Sequence, residues 1–170
     1  MKQFNKLLLA SFFLIPFMLF ADDLKDDILS MRERAKVRDT LLKDRFESVL
    51  PNIMRRNNID MWLIIAREYN EDPVIRTMLP ATWLNARRRT VLVIFDPGNN
   101  KPLETYAVAR YAVGEIFKKA WDPEAQPDQY KALADLIKKK NPKKIGINKS
   151  EFFGQADGLS STEYDLLNKA

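Results

Sequence analysis

Two unbroken apolar runs, Met61 to Ala66 (MWLIIA) and Thr90 to Phe95 (TVLVIF), set the tightest limit on how this chain can fold. A strand with one wet face alternates apolar and polar residues, whereas a run with no polar position reads as a strand covered on both faces. The second run is rich in β-branched residues and leads into Asp96-Pro97-Gly98-Asn99-Asn100, a dense turn signal. Leu103 to Tyr111 is expected to be its hairpin partner, and Lys144 to Asn148 (KIGIN) a last short strand.

Helical patterns fill the rest. Between residues 24 and 57, Leu42, Phe46, Val49 and Ile53 recur at helical spacing, with Leu50 and Met54 beside them on the same face. Pro51 should kink this helix or restart it, and Asn57-Asn58 should end it. Gly114 to Trp121 is expected to be a short helical piece that stops before Pro123. Asp128 can cap a better helix that buries Tyr130, Leu133, Ala134 and Ile137, places Lys138 to Lys140 at its negative end, and stops before Pro142. Ser160 and Glu163 have capping-box spacing, with Leu159 and Tyr164 as the hydrophobic staple, so a helix should start at Ser161.

This order predicts an α/β fold. Its mixed parallel/antiparallel sheet is flanked by helices, antiparallel at the hairpin, with at least one right-handed parallel crossover between Leu103 and Asn148. The last helix runs to Ala170 without a C-cap, which is the expectation for a chain truncated at the C-terminus or a fragment; a frayed terminal helix is the alternative.

Residues 1–21 have the layout of a secretory signal: Lys2 and Lys6, the apolar stretch Leu7 to Phe20, then Ala21. That stretch of 14 residues is shorter than the ~20 a spanning helix needs, so no stable membrane anchor is expected. Cleavage near Ala21 would leave residues 22–170 as one domain, exported to the periplasm or secreted. Without Lys2 and Lys6 the formal charge falls from +5 to +3, an ordinary solubility charge that gives no reason to expect nucleic acid.

The chain has no histidine and no cysteine. That removes Ser-His and Cys-His nucleophiles, zinc sites built on either residue, and the commonest general base near neutrality. No glycine-rich phosphate loop occurs. Glu68, Glu71 and Asp72 cluster after the first strand, where carboxylates can act as acid and base or hold a hard cation. A solvated loop that offsets Arg67 and Arg76 explains them more simply. Arg87-Arg88-Arg89 with Trp83 can bind an anion by forked hydrogen bonds and stacking; a basic loop edge beside a packed Trp83 is the plainer reading. Asn148-Lys149-Ser150 matches a glycosylation sequon.

The residues from Leu50 to Asp96 carry a resemblance. Ile59-Asp60-Met61-Trp62, Arg67-Glu68-Tyr69-Asn70-Glu71-Asp72-Pro73, Pro80-Ala81-Thr82-Trp83-Leu84-Asn85-Ala86-Arg87-Arg88 and Tyr111-Ala112-Val113-Gly114-Glu115 are similar to the creatinase/prolidase-type N-terminal domain (with its ribonuclease H-like motif) of secreted Xaa-Pro aminopeptidase-like metallopeptidases of the pita-bread family. The likeness runs from about Ser30 onward. It implies a non-catalytic front domain, with no cofactor of its own, preceding a C-terminal catalytic domain that holds two divalent metal ions. It also implies a homodimer when complete, and short proline-containing peptides as substrates. No residue here inherits a catalytic or metal role. If the domain borders the substrate entrance, Arg67, Tyr69, Trp83 and Arg87 are the residues best able to touch substrate. A free-standing exported peptide-binding or interaction module is the alternative.

Overall fold

The structure is a computed structural model describing residues 28–170. The expected leader, its cleavage site and residues 24–27 of the expected first helix lie outside the described residues. The described residues fall into two units, divided between Val37 and Arg38. In the first, Ser30 and Glu33 cap helix α1 (Met31–Asp44) reciprocally: Glu33 N donates to Ser30 Oγ at 3.3 Å and Ser30 N to Glu33 Oε2 at 2.8 Å. Hydrogen bonding from the Ser30 side chain first, and then from its backbone N–H, holds the Glu33 carboxyl below its ordinary pKa.

In the second unit, α1 passes through a π-helical turn (Arg45–Val49) into α2 (Leu50–Arg56). Pro51 has no N–H for the Glu47 carbonyl and its ring crowds that carbonyl, so the turn before it widens. Asn52 Nδ2 donates instead to Ser48 O at 2.7 Å, and Ser48 Oγ to Asp44 O at 2.6 Å. The widening changes which face is buried. A spacing of four advances by about 40° in a straight α-helix, and the wide turn cancels part of that drift. Leu42, Phe46, Leu50 and Met54 therefore line up in the core, while Val49 and Ile53, expected inside, stay 47% and 41% exposed. Asn58, at φ 53°, ends the helix as expected.

Both apolar runs are central strands, β1 (Met61–Arg67) and β2 (Arg89–Phe95). With β3 (Glu104–Val108), β4 (Lys118–Lys119) and β5 (Ile145–Ile147) they form one mixed sheet in the order β4-β3-β2-β1-β5. The β1–β2 and β2–β3 pairs are antiparallel; β3–β4 and β1–β5 are parallel. Alternation divides β1 between two cores. Ile64 and Ala66 face α1, α2 and the one-turn helix α3 (Ile75–Met78). Met61, Leu63 and Ile65 face Tyr130 and Leu133 of α4 (Gln129–Lys140), Trp121 from the loop before it, and Leu159 with the apolar residues of α5 (Ser161–Lys169). Each large side chain wholly buried in this way contributes roughly 1.5–3 kcal/mol.

Both helices start at the expected caps, although only the serine half of the capping box at Ser160 forms. Asp128 accepts from Tyr130 N and Lys131 N, and Ser160 Oγ from Glu163 N at 3.4 Å. The chain between β3 and β5 crosses the sheet through α4, and both strands run parallel to β1. The expected helix at 114–121 is absent. Val113 and Phe117, both fully buried, bridge each other in a tight turn with Gly114 at φ 60°, and Lys118-Lys119 extend the sheet. Three residues between two core anchors cannot nucleate a helix against a strand edge that offers ready partners.

Candidate functional site

Strands β1, β3 and β5 share one direction, so the loops that leave them meet the entry to β2 at one end of the sheet. Three of the quoted motifs join here. Glu68 N donates to Arg88 O at 2.6 Å, and Arg88 N returns to Glu68 Oε2 at 3.1 Å. Pro80 packs on Gly114 so closely that a Cβ there would lie 2.9 Å from its Cγ. Tyr69 and Arg88 are both left-handed, at φ 68° and 56°. Such non-glycine residues cost on the order of 1 kcal/mol and persist only where neighbours over-determine them.

This end also gathers exposed apolar side chains. Among the described loops, Tyr69 (90% exposed), Leu84, Tyr111, Phe152 (95%) and Phe153 all lie here. The loops at the other end carry Asn57, Asn58, Asn99, Asn100, Lys101 and Lys143 instead.

The four residues expected at a substrate entrance divide. Tyr69 stands in solvent on its strained turn. Trp83 is buried, and the Arg87 guanidinium lies 4.7 Å from its ring centroid. Arg67 turns away from them to Glu163, 3.6 Å distant. The arginine triplet likewise diverges: Arg87 stacks on Trp83, Arg88 is held through its backbone, and Arg89 pairs with Glu163. It does not act as one cationic claw.

The three acids after β1 also go separate ways. Glu68 accepts from Arg88 N, and Glu71 from Tyr69 N at 3.3 Å. Asp72 is fully buried and, among the described residues, faces no cation within ion-pairing distance. Its Oδ1 accepts from Val74 N and its Oδ2 from Asn148 Nδ2, both at 2.7 Å, while Asn148 Oδ1 accepts from Trp62 Nε1 at 2.7 Å. An indole N–H only donates and a carboxylate only accepts, so this chain has one consistent orientation of the amide. Burial holds the Asp72 carboxyl above its ordinary pKa, against the donors from Asn148, Val74 and Ile75 that pull it down. The same bonds bury the Asn148 amide nitrogen, so in the folded chain the sequon offers no accessible acceptor.

The sequence marks Glu163 only as a capping-box partner. Ser160 does cap the helix, yet the Glu163 carboxylate turns inward and is 2% exposed. It accepts from Tyr130 Oη at 2.5 Å and from Arg89 Nη2 at 3.2 Å, with Arg89 Nε at 2.8 Å as an ion pair that is out of line for a hydrogen bond. Burial first, then the Glu163 carboxylate, pushes the Tyr130 hydroxyl well above the usual phenol range. Gln129 Nε2 ties Arg89 O and Val108 O to the same helix. The cluster pins α4 and α5 to the ends of β1 and β2, beneath the Arg67 side chain. A glutamate three residues after a serine was the only sequence signal, and a cap explains that signal equally well.

Among the described residues no group of three or more carboxylates, histidines or cysteines is placed to hold a metal ion. No helix among the described residues is long and apolar enough to cross a membrane. Comparison of the chain with protein-family models, with curated proteins and with solved structures finds no match.

Proposed function

We propose that this chain is a non-catalytic N-terminal domain of an exported Xaa-Pro aminopeptidase- or prolidase-like metallopeptidase, of the creatinase/prolidase type. On this reading it contributes subunit contacts and one wall of the substrate entrance, while a separate C-terminal domain supplies the two metal ions and the hydrolytic groups. The observation that carries the reading is the convergence of motifs 67–73, 80–88 and 111–115 at one end of the sheet, where exposed aromatic side chains lie beside Tyr69 and Arg88, the two left-handed residues among those described that are neither glycine nor asparagine. Strain and exposed apolar surface each cost stability and tend to mark contact sites. The absence of histidine and cysteine agrees with a supporting role.

Two measurements test it. The mass of the mature protein from its native source should exceed that of this chain, and that protein should cleave Xaa-Pro peptides in a metal-dependent way. The chain of 170 residues, purified alone with added Mn²⁺, Co²⁺ or Zn²⁺, should cleave none. A native protein no larger than this chain and devoid of peptidase activity would leave a free-standing binding module as the better account. Turnover by the pure chain would reject both.

A further inference from the structure

The edge strand β4 combines open backbone valence with unbalanced charge. It is the last strand on its side of the sheet, paired only with β3. Ala120 N donates to Ala107 O at 2.9 Å, and Ala107 is the register partner of Lys119. In a parallel ladder the residues of a strand alternate between bonding inward and outward. Ala107 is therefore bonded by the neighbours of Lys119, and the N–H and C=O of Lys119 itself face away from the sheet.

Beside this edge lies an open cavity of about 530 Å³ whose lining includes Lys118, Lys119 and Lys139 over the apolar Trp121 and Leu136. Asp122 and Asp135 also line it, but neither approaches these lysines within ion-pairing distance. Among the described residues, none of the three lysines has an ion-pair partner, whereas the adjacent Lys140 is taken by Glu104.

We propose that this edge receives an extended acidic segment of a partner polypeptide as an added strand. The partner's backbone bonds the outward N–H and C=O of Lys119. Its carboxylates, on one face of the added strand, meet Lys118 and Lys139 at the cavity, while its alternate side chains turn to the opposite face, that of Lys119. Backbone bonds give such strand addition its affinity, and alternate side chains give it specificity. The lysines also act negatively: they repel the matching edge of a second copy of this chain, so the edge selects for acid rather than for any strand.

The test is fluorescence anisotropy with labelled octapeptides alternating Glu and Val, or Lys and Val, added to the full chain. The Glu peptide should bind and the Lys peptide should not. Lys119→Pro removes an N–H that no internal bond uses, so the fold should persist while binding weakens about tenfold, the loss of one hydrogen bond. Lys118→Glu with Lys139→Glu should reverse the charge preference. Should Lys119→Pro unfold the chain, a Glu–Val peptide N-methylated along one edge makes the same cut from the other side and should bind about tenfold more weakly. The proposal fails if the folded wild-type chain does not bind the Glu peptide. It also fails if backbone blocking leaves affinity unchanged, or if inorganic polyphosphate competes equally for a site indifferent to Lys119→Pro, which would make this a plain polyanion patch.

Discussion

Exchanging the buried carboxylate and amide that join the first loop to β5 probes the packing of this domain most sharply. In Asp72→Asn, an amide replaces the carboxylate 2.7 Å from the Asn148 amide nitrogen and 2.7 Å from Val74 N. Whichever way the new amide is turned, two donors face each other and one is left unpaired. An unmade hydrogen bond at a buried donor costs about 1–3 kcal/mol, partly offset here by removing a desolvated charge. In Asn148→Asp, two carboxylates lie at that separation and must share a proton, a cost at least as large. The double substitution restores every partner. The carboxylate introduced at position 148 would accept from Trp62 Nε1 and from the new amide at position 72, whose oxygen accepts from Val74 N. The double variant should be at least about 2 kcal/mol more stable than the sum of the single effects. For a domain of this size that places its melting temperature about 4–8 °C above the additive value. Urea unfolding at pH 7, followed by tryptophan fluorescence, measures the cycle. Additivity to within about 0.5 kcal/mol would refute the hydrogen-bond chain described here.

Four further outcomes are expected. The Asp72 carboxyl has a raised pKa in the fold, so its contribution is complete below its unfolded value and is lost as pH rises through its folded one. The stability of wild type relative to Asp72→Asn should therefore fall between pH ~3.5 and neutrality; a difference that grows over that range would contradict the burial. Asp96 behaves oppositely, because the Arg55 fork at 2.8 and 3.1 Å holds its carboxyl low, so Arg55→Lys should lower the urea midpoint above pH ~5 and matter less in acid, with the slope unchanged. At Gly158 a Cβ would overlap the Asp72 carboxylate and come within 2.8 Å of Pro73 Cδ, so Gly158→Ala should cost about 1–3 kcal/mol in a thermal melt. Tyr69→Ala, at a solvent-exposed position, should change stability by less than about 0.5 kcal/mol; in the complete peptidase of the proposed function it should raise KM for short Xaa-Pro peptides, as should Arg87→Ala, and unchanged kinetics would remove both from the entrance.

Periodicity and local chemistry, which act within a few residues, were readable from the sequence. The apolar runs at 61–66 and 90–95 specified central strands, Asp128 and Ser160 specified helix starts, and Asn58 a helix end; each takes that place in the structure. Simple periodicity failed where a neighbouring proline or a distant strand edge outweighed it. Pro51 widened a turn and rotated Val49 and Ile53 out of the core, and the edge of β3 drew Lys118-Lys119 into a strand where a helix was expected. The candidate sites depended on such partners even more. One sequence cluster of acids became three separate bonding arrangements, and within one arginine triplet Arg87 and Arg89 went to different partners. Glu163, 74 residues from Arg89, became the hub of a buried network. Side-chain type fixes what a group can donate, accept or ionise. Which group it meets, and with how much water, is decided only when the sheet brings distant segments together.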